Sequence, residues 1–348
     1  MKNRIFGLLL VLVLIGSSGC TEQEGDRDGS HTVGFVVANK QLNFSQEMSL
    51  GFISGVDLVG DVSYQVDGPN IVDGPRQLSL FRDMVTTARD GISVFTLTPD
   101  LFVEPMAEAI AAGVPVIAVD SPVLPSAGVR LFIGNDSYAL GRLLARQVIA
   151  KLPPGTVSGK IVLGTSSPGV AVLDRRAKGV RDEIKEKLPQ VTLVGPVDTK
   201  QEVEANLEAW NSLVKANSSA LAFIGTGDAD GWNLAGIRRR DKAGWIAGAF
   251  DIDSRSLAAV KAGDLLLVSP ENFIKGAVAG RLQAGHAKTG KALPEGWLVV
   301  PGLAIDESNV DAVVARQATI TTRAQAFAGQ IEAILSDPAN LRPMSEVS

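Results

Sequence analysis

The side chains able to do chemistry are mostly carboxylates, and two of them end apolar runs. Asp120 follows Val-Ile-Ala-Val and Asp251 follows Ala-Gly-Ala-Phe. A carboxylate at the end of a buried strand is costly unless paired, so each reads as a ligand contact or as the cap of the next helix. Asp136 precedes the helix that begins at Ser137 and reads equally as an N-cap or as a contact. Arg176 forms a basic pair with Arg175, which is usually a solvated face, and Glu271 and Asn272 share one slot between a strand and a helix. Trp232, beside Asp228 and Asp230, reads as packing before it reads as a stacking plate. Catalytic parts are scarce. With His31 and His286 as the two histidines and Cys20 as the one cysteine, neither a histidine-based nucleophile nor a zinc site can be assembled. A carboxylate-only glycoside hydrolase is the remaining enzyme reading.

Three motifs mislead. Gly285 to Lys291 spells G-x-x-x-x-G-K, but Ala292 follows where a hydroxyl should ligate magnesium, and the motif closes a helix where it should open one. Asp228-x-Asp230-Gly231 lacks the other oxygens of a calcium loop. Ser212-x-x-Lys215 lies mid-helix without companion motifs. No metal or cofactor is expected.

These residues must be held by a chain of 348 residues, more than one hydrophobic core usually supports. Apolar residues make up 45% and charged residues 20%, ordinary for a globular protein, and a net charge of −5 argues against a nucleic-acid partner. Lys2 and Arg4, the apolar run Ile5 to Ile15 and the small residues before Cys20 have the layout of an export signal. We therefore expect a signal peptide over 1–20 and a polar tether over 21–31; the cysteine just after the small residues resembles a bacterial lipoprotein signal, which implies Cys20 as a lipidation site although Ser17 stands where leucine is usual. A lipid-anchored protein on the outer face of the cytoplasmic membrane or in the periplasm follows.

Beyond the tether, short β-rich runs alternate with helical patterns. Strands are expected at Val33–Ala38, Val62–Val66, Ser93–Leu97, Pro115–Val119 and Leu131–Gly134, then at Lys160–Gly164, Thr192–Pro196, Ala220–Gly225, Trp245–Phe250 and Leu265–Ser269. Many are nearly continuous apolar runs, as in parallel strands covered on both faces. Phe44 to Val59 repeats apolar residues at helical spacing, Leu173 to Leu188 reads as another helix, and so does Val310 to Leu335. The expected fold is α/β, with two doubly wound parallel-sheet lobes joined by about three hinge segments and a cleft at the carboxyl ends of the strands. The lobes are assigned to 32–134 plus 272–297 and to 135–271 plus 298–306, followed by a C-terminal helix over 307–335 and a frayed tail over 336–348. Crossings are expected near Gly134-Asn135, Glu271-Asn272 and Gly296–Gly302.

The order of short motifs resembles the ribose-binding family of type I periplasmic binding proteins. The residues are GFVVA (34–38), Phe44 opening a helix with Gly51, TPD (98–100), GVPVIAVDS (113–121), GND (134–136) with Gly141, Arg176 with Gly179, GTGD (225–228), AFD (249–251) and SPEN (269–272). The resemblance implies a sugar site. Phe44 falls on a stacking ring, Asp120 on the key carboxylate, Asp136 and Arg176 on a second-lobe acid and arginine, Asp251 on an acid after the ninth strand, and Glu271 on a hinge glutamine. Ser121 replaces a usual arginine, Gly227 a common asparagine and Thr199 a common aromatic. The implied contacts are Phe44, Asp120, Ser121, Asp136, Arg176, Asp228, Asp251, Glu271 and Asn272. The pocket suits a polyol, another monosaccharide, or a ligand with a positive or neutral polar group. The implied role is capture of a sugar-like solute for the permease of an ABC importer; the alternatives are a receptor signalling to a membrane partner, or one for a nucleoside.

Overall fold

The computed structural model describes residues 31–347; the export signal, Cys20 and the tether up to Ser30 lie outside them. His31, read as the end of the tether, is instead the first residue of strand β1, where its Nδ1 lies 3.0 Å from the Asp90 carboxylate.

In chain order, the first half holds β1 (His31–Val36), α1 (Asn43–Val59), β2 (Val62–Asp67), α2 (Gly74–Thr87), β3 (Ile92–Val94), α3 (Val103–Ala111), β4 (Val116–Val119) and β5 (Leu131–Gly134). The second holds α4 (Ser137–Lys151), β6 (Ser158–Thr165), α5 (Ala171–Lys187), β7 (Gln190–Asp198), α6 (Val203–Ala216), β8 (Ala222–Gly225), α7 (Asp228–Arg240), β9 (Ile246–Phe250), α8 (Ser254–Lys261) and β10 (Leu266–Ser269). Then come α9 (Asn272–Thr289), β11 (Gly296–Val299), β12 (Leu303–Ile305), α10 (Val310–Arg316), α11 (Ile320–Ser336) and β13 (Leu341–Arg342).

Two sheets result. One runs β13-β11-β5-β4-β3-β1-β2 and the other β12-β10-β9-β8-β6-β7. All pairings are parallel except those of the edge strands β13 and β12. Each half therefore repeats the same doubly wound order, with its switch point beside its first strand. Continuous apolar strands such as Val116–Val119 and Ala222–Gly225 are buried along their whole length, because helices cover both faces.

Two helix pairs approach closely through glycine. α1 packs on α9, where a Cβ on Gly51 would sit 2.0 Å from the Phe273 carbonyl oxygen and one on Gly276 would sit 1.9 Å from that of Met48. α4 packs on α5 in the same way: a Cβ on Gly141 would lie 2.1 Å from the Arg176 carbonyl oxygen.

The chain passes between the sheets after β5, after β10 and between β11 and β12, and a fourth time between β12 and β13, where α10 leads into α11. Gly296–Val299, expected inside the third crossing, is paired with β5, so that crossing is confined to 300–302. Asn135 ties the first three together: its side-chain amide donates to Pro270 O at 3.0 Å and to Val300 O at 2.7 Å.

The single C-terminal helix expected over Val310 to Leu335 is broken. α10 packs on α8 and α11 on α9 and α1, and Thr319 caps α11 by accepting from Thr322 N at 3.0 Å. The tail expected to fray is ordered through Val347 and contributes β13, because Gly296 lets the Leu341–Arg342 backbone come close to β11.

Candidate functional site

The two strand-end aspartates occupy equivalent places. Each follows the fourth strand of its half, and each donates its backbone N–H to the fifth: Asp120 to Ile133 O at 2.8 Å, Asp251 to Val268 O at 3.1 Å. Both backbones are left-handed, with φ of 64° and 72°. That region is costly for most side chains and least so for Asp, Asn and Gly, so the turn that aims each carboxylate favours the residue found there.

One polar chain links them across the hinge. Arg176 on α5 donates through Nη1 to Asp251 Oδ2 at 3.1 Å and to Thr226 O at 2.9 Å, with its guanidinium 4.4 Å from the Phe250 ring centroid. Asn272 donates to Asp251 Oδ1 at 2.9 Å and accepts from Lys275 Nζ at 2.9 Å. Lys275 also donates to Asp120 Oδ1. Lys275 is fully buried, and burial lowers its pKa while the Asp120 carboxylate opposes that shift. Buried charges persist when each is paired and hydrogen-bonded, which describes both Asp120–Lys275 and Asp251–Arg176.

These groups border a cleft between the two lobes. The first lobe supplies Phe44, Phe95, Leu97, Asp120 and Ser121; Phe44 and Phe95 meet edge to face with centroids 5.8 Å apart. The second supplies Ser166, Ser167, Arg176, Gln201, Asp228 and Asp251 beside an apolar patch of Val170, Val172 and Leu173. Asn272 joins from the hinge. Asp228, only 5% exposed, opens α7, and its Oδ1 has no hydrogen-bond partner among the described residues. Burial pushes its carboxyl well above the ordinary aspartate range, and Asp251, Asp253 and Asp230 add to the effect. The Ser121 hydroxyl is also buried without a partner.

Of the residues expected at the site, Phe44, Asp120, Ser121, Arg176, Asp228, Asp251 and Asn272 converge on the cleft, while Asp136 and Glu271 do not. Asp136 caps α4 by accepting from Ala139 N at 2.9 Å and pairs with Arg342 at 3.5 Å. Glu271 sits on the hinge with φ of 54° and accepts from Arg316 at 2.7 Å. Thr199 turns from the cleft to donate to Asp230 at 2.9 Å, and Asp230 also accepts from Asn206, Trp210 and Gly227 N. Trp232 lies under the Arg255 guanidinium, 3.7 Å from ring centroid to Cζ. Lys275 and Gln201 were not singled out from the sequence. Lys275 had a legible signal, a lone charge in the small and apolar run FI-K-GAVAG.

The cleft is bridged at its mouth: the Asn43 side-chain amide, at the start of α1, donates to Ile252 O of the other lobe.

The family described as "Periplasmic binding protein domain" matches residues 33–291. The chain is 25% identical over 237 residues to a D-allose-binding periplasmic protein of Escherichia coli, an alignment covering 65% of this chain and 75% of that one. It is 26% identical over 140 residues to a xylose/arabinose-binding protein of Sulfolobus acidocaldarius, which covers 37% of this chain and about a third (33%) of that relative. Among solved structures, an ABC transporter solute-binding protein from Burkholderia graminis in complex with D-arabinose superposes with a TM-score of 0.74 at 19% identity, covering 81% of this chain and 98% of that one. A periplasmic ribose ABC transporter protein from Conexibacter woesei gives 0.71 at 22% identity, covering 85% and 97%. At such identities the structural likeness carries the fold.

Proposed function

The chain belongs to the periplasmic binding protein family, and from that premise we propose that it captures a sugar or sugar-like polar solute outside the cytoplasm and delivers it to an ABC importer. Its chemistry is binding, not catalysis. The observation that carries the reading is the pair of equivalent aspartates, Asp120 and Asp251, each fixed by a buried cation at the rim of a two-lobed cleft. A sugar hydroxyl both donates and accepts, and a carboxylate already held in place accepts it without further ordering cost. The Phe44–Phe95 edge and the Val170–Leu173 patch offer apolar surface to the C–H faces of a ring.

A thermal-shift screen of residues 21–348 against pentoses, hexoses, polyols and nucleosides, followed by calorimetry, tests this. A sugar ligand at hundredfold excess over its Kd adds about 2.7 kcal/mol of stability. Stabilisation by nucleosides alone would replace the sugar reading.

The membrane attachment rests on Cys20. Replacing it, Cys20→Ser, is expected to move the protein from the membrane pellet to the soluble exported fraction, since stable anchoring here would depend on the lipid. Continued pelleting would remove lipidation from the account.

A further inference from the structure

Of the three aspartates that border the cleft, two are already balanced: Asp120 by Lys275 and Asp251 by Arg176. Asp228 is not. It is 5% exposed and its Oδ1 meets no donor among the described residues. The cation whose charge acts on it, Arg255, is held by Asp253 through contacts of 2.8 and 3.2 Å and stacks on Trp232. The carboxylate that shares its helix, Asp230, is satisfied by four donors of its own and turns away from the cleft. Next to Asp228 the chain has Gly227, where a Cβ would lie 2.2 Å from the Ser166 hydroxyl, so the absence of a side chain lets Ser166 pack against this turn. Among the described residues the cleft thus carries one buried carboxylate in excess of its cations.

We propose that the ligand of this cleft carries a cationic amino group that pairs with Asp228, making the preferred solute an amino or imino sugar, or an amino polyol, and not a neutral sugar. The inference rests on the sugar-binding reading given above and narrows it. A neutral sugar seated in the closed cleft leaves Asp228 either ionised with no counter-charge or protonated, and a buried unpaired charge is the more costly state. An ammonium removes the excess with a charge-assisted hydrogen bond. Burial and the neighbouring Asp251, Asp253 and Asp230 raise the pKa of Asp228, so its charged form needs a partner more than that of an exposed acid would.

The test compares matched pairs by calorimetry on residues 21–348: glucosamine with glucose, galactosamine with galactose, mannosamine with mannose, glucamine with sorbitol, and 1-deoxynojirimycin with 1,5-anhydroglucitol. At least one amine is expected to bind tenfold or more tightly than its neutral counterpart, and its N-acetyl or N-formyl derivative is expected to lose that advantage. Asp228→Asn, which keeps the shape, is expected to abolish the difference within a pair. Neutral members that bind as tightly as the amines, or a preference that survives Asp228→Asn, would overturn the amine inference and leave a neutral-sugar receptor. Failure of every carbohydrate, charged or neutral, would overturn the sugar reading and this inference with it. The wild-type comparison decides the matter even if the variant folds poorly.

Discussion

Asp120 holds two jobs at once, facing the cleft and neutralising Lys275, a lysine with no exposure. Replacing it with alanine strands a buried cation, so Asp120→Ala is expected to weaken ligand binding at least tenfold and also to cost about 3–5 kcal/mol of stability. Adding Lys275→Met separates the jobs. The double variant should recover most of the stability by urea unfolding and none of the affinity by calorimetry; recovery of both would mean that Asp120 does not touch the ligand. Asp228 carries a pH signature. Its folded pKa is raised, so its stabilising contribution is complete below the ordinary aspartate value of 3.8 and is lost as pH rises through the folded value. Ligand-free wild type should therefore lose Tm relative to Asp228→Asn as pH climbs from about 4 to about 8. Parallel curves for the two proteins would place Asp228 in contact with water or with a cation.

The helices are placed by residues that say little when read singly. Gly51 and Gly141 each sit under a carbonyl of the partner helix, so alanine at either site must push two helices apart, at about 1–3 kcal/mol. The two substitutions are expected to part company in function. The carbonyl above Gly141 belongs to Arg176, so Gly141→Ala should also cost several-fold in affinity, whereas Gly51→Ala should leave affinity nearly unchanged; equal losses would uncouple Arg176 from binding. The elements differ in how plainly the sequence announces them. Parallel strands such as Val116–Val119 are buried on both faces and read as unbroken apolar runs, and they anchor Asp120 and Asp251 at positions visible beforehand. β13, of two residues, exists only because β11 offers it an edge, so no local pattern marks it. Lys275 escapes notice because a helical lysine is ordinarily a surface residue. Glu271 misleads because its partner, Arg316, lies 45 residues away in sequence, whereas Asp136 takes the N-cap role that its place before Ser137 already offered.

At the scale of the molecule the lobes meet at the hinge and again at the mouth, where Asn43 reaches the Ile252 carbonyl. Asn43→Ala removes one hydrogen bond that exists only in the closed arrangement, worth about 1 kcal/mol, so ligand affinity should fall about fivefold with Phe44 and the aspartates intact. Small-angle scattering should show a larger radius of gyration for the ligand-free variant than for wild type; identical radii would mean that this contact does not hold the lobes together. The C-terminal segment adds a further link, with α10 on the second lobe and α11 on the first, fixed by Arg316–Glu271 and Arg323–Glu47 at 2.7 and 2.6 Å. Proteolysis between them, near Thr319, should loosen the closed state without separating the lobes.

Because Asn135 gathers three of the four crossings at one point, rotation of one lobe on the other is expected to pivot close to it. Trp297 stands beside that point: its indole N–H donates to Gly134 O at 3.0 Å, and its ring faces Arg342, which also reaches Asp136 of the second lobe. Of the four tryptophans in the chain, Trp210 and Trp245 are buried within the second lobe and Trp232 is clasped by Arg255. The protein thus carries a native optical reporter at its pivot. Its emission should shift colour when the lobes close, so the arrival of a solute can be followed in light, without a dye.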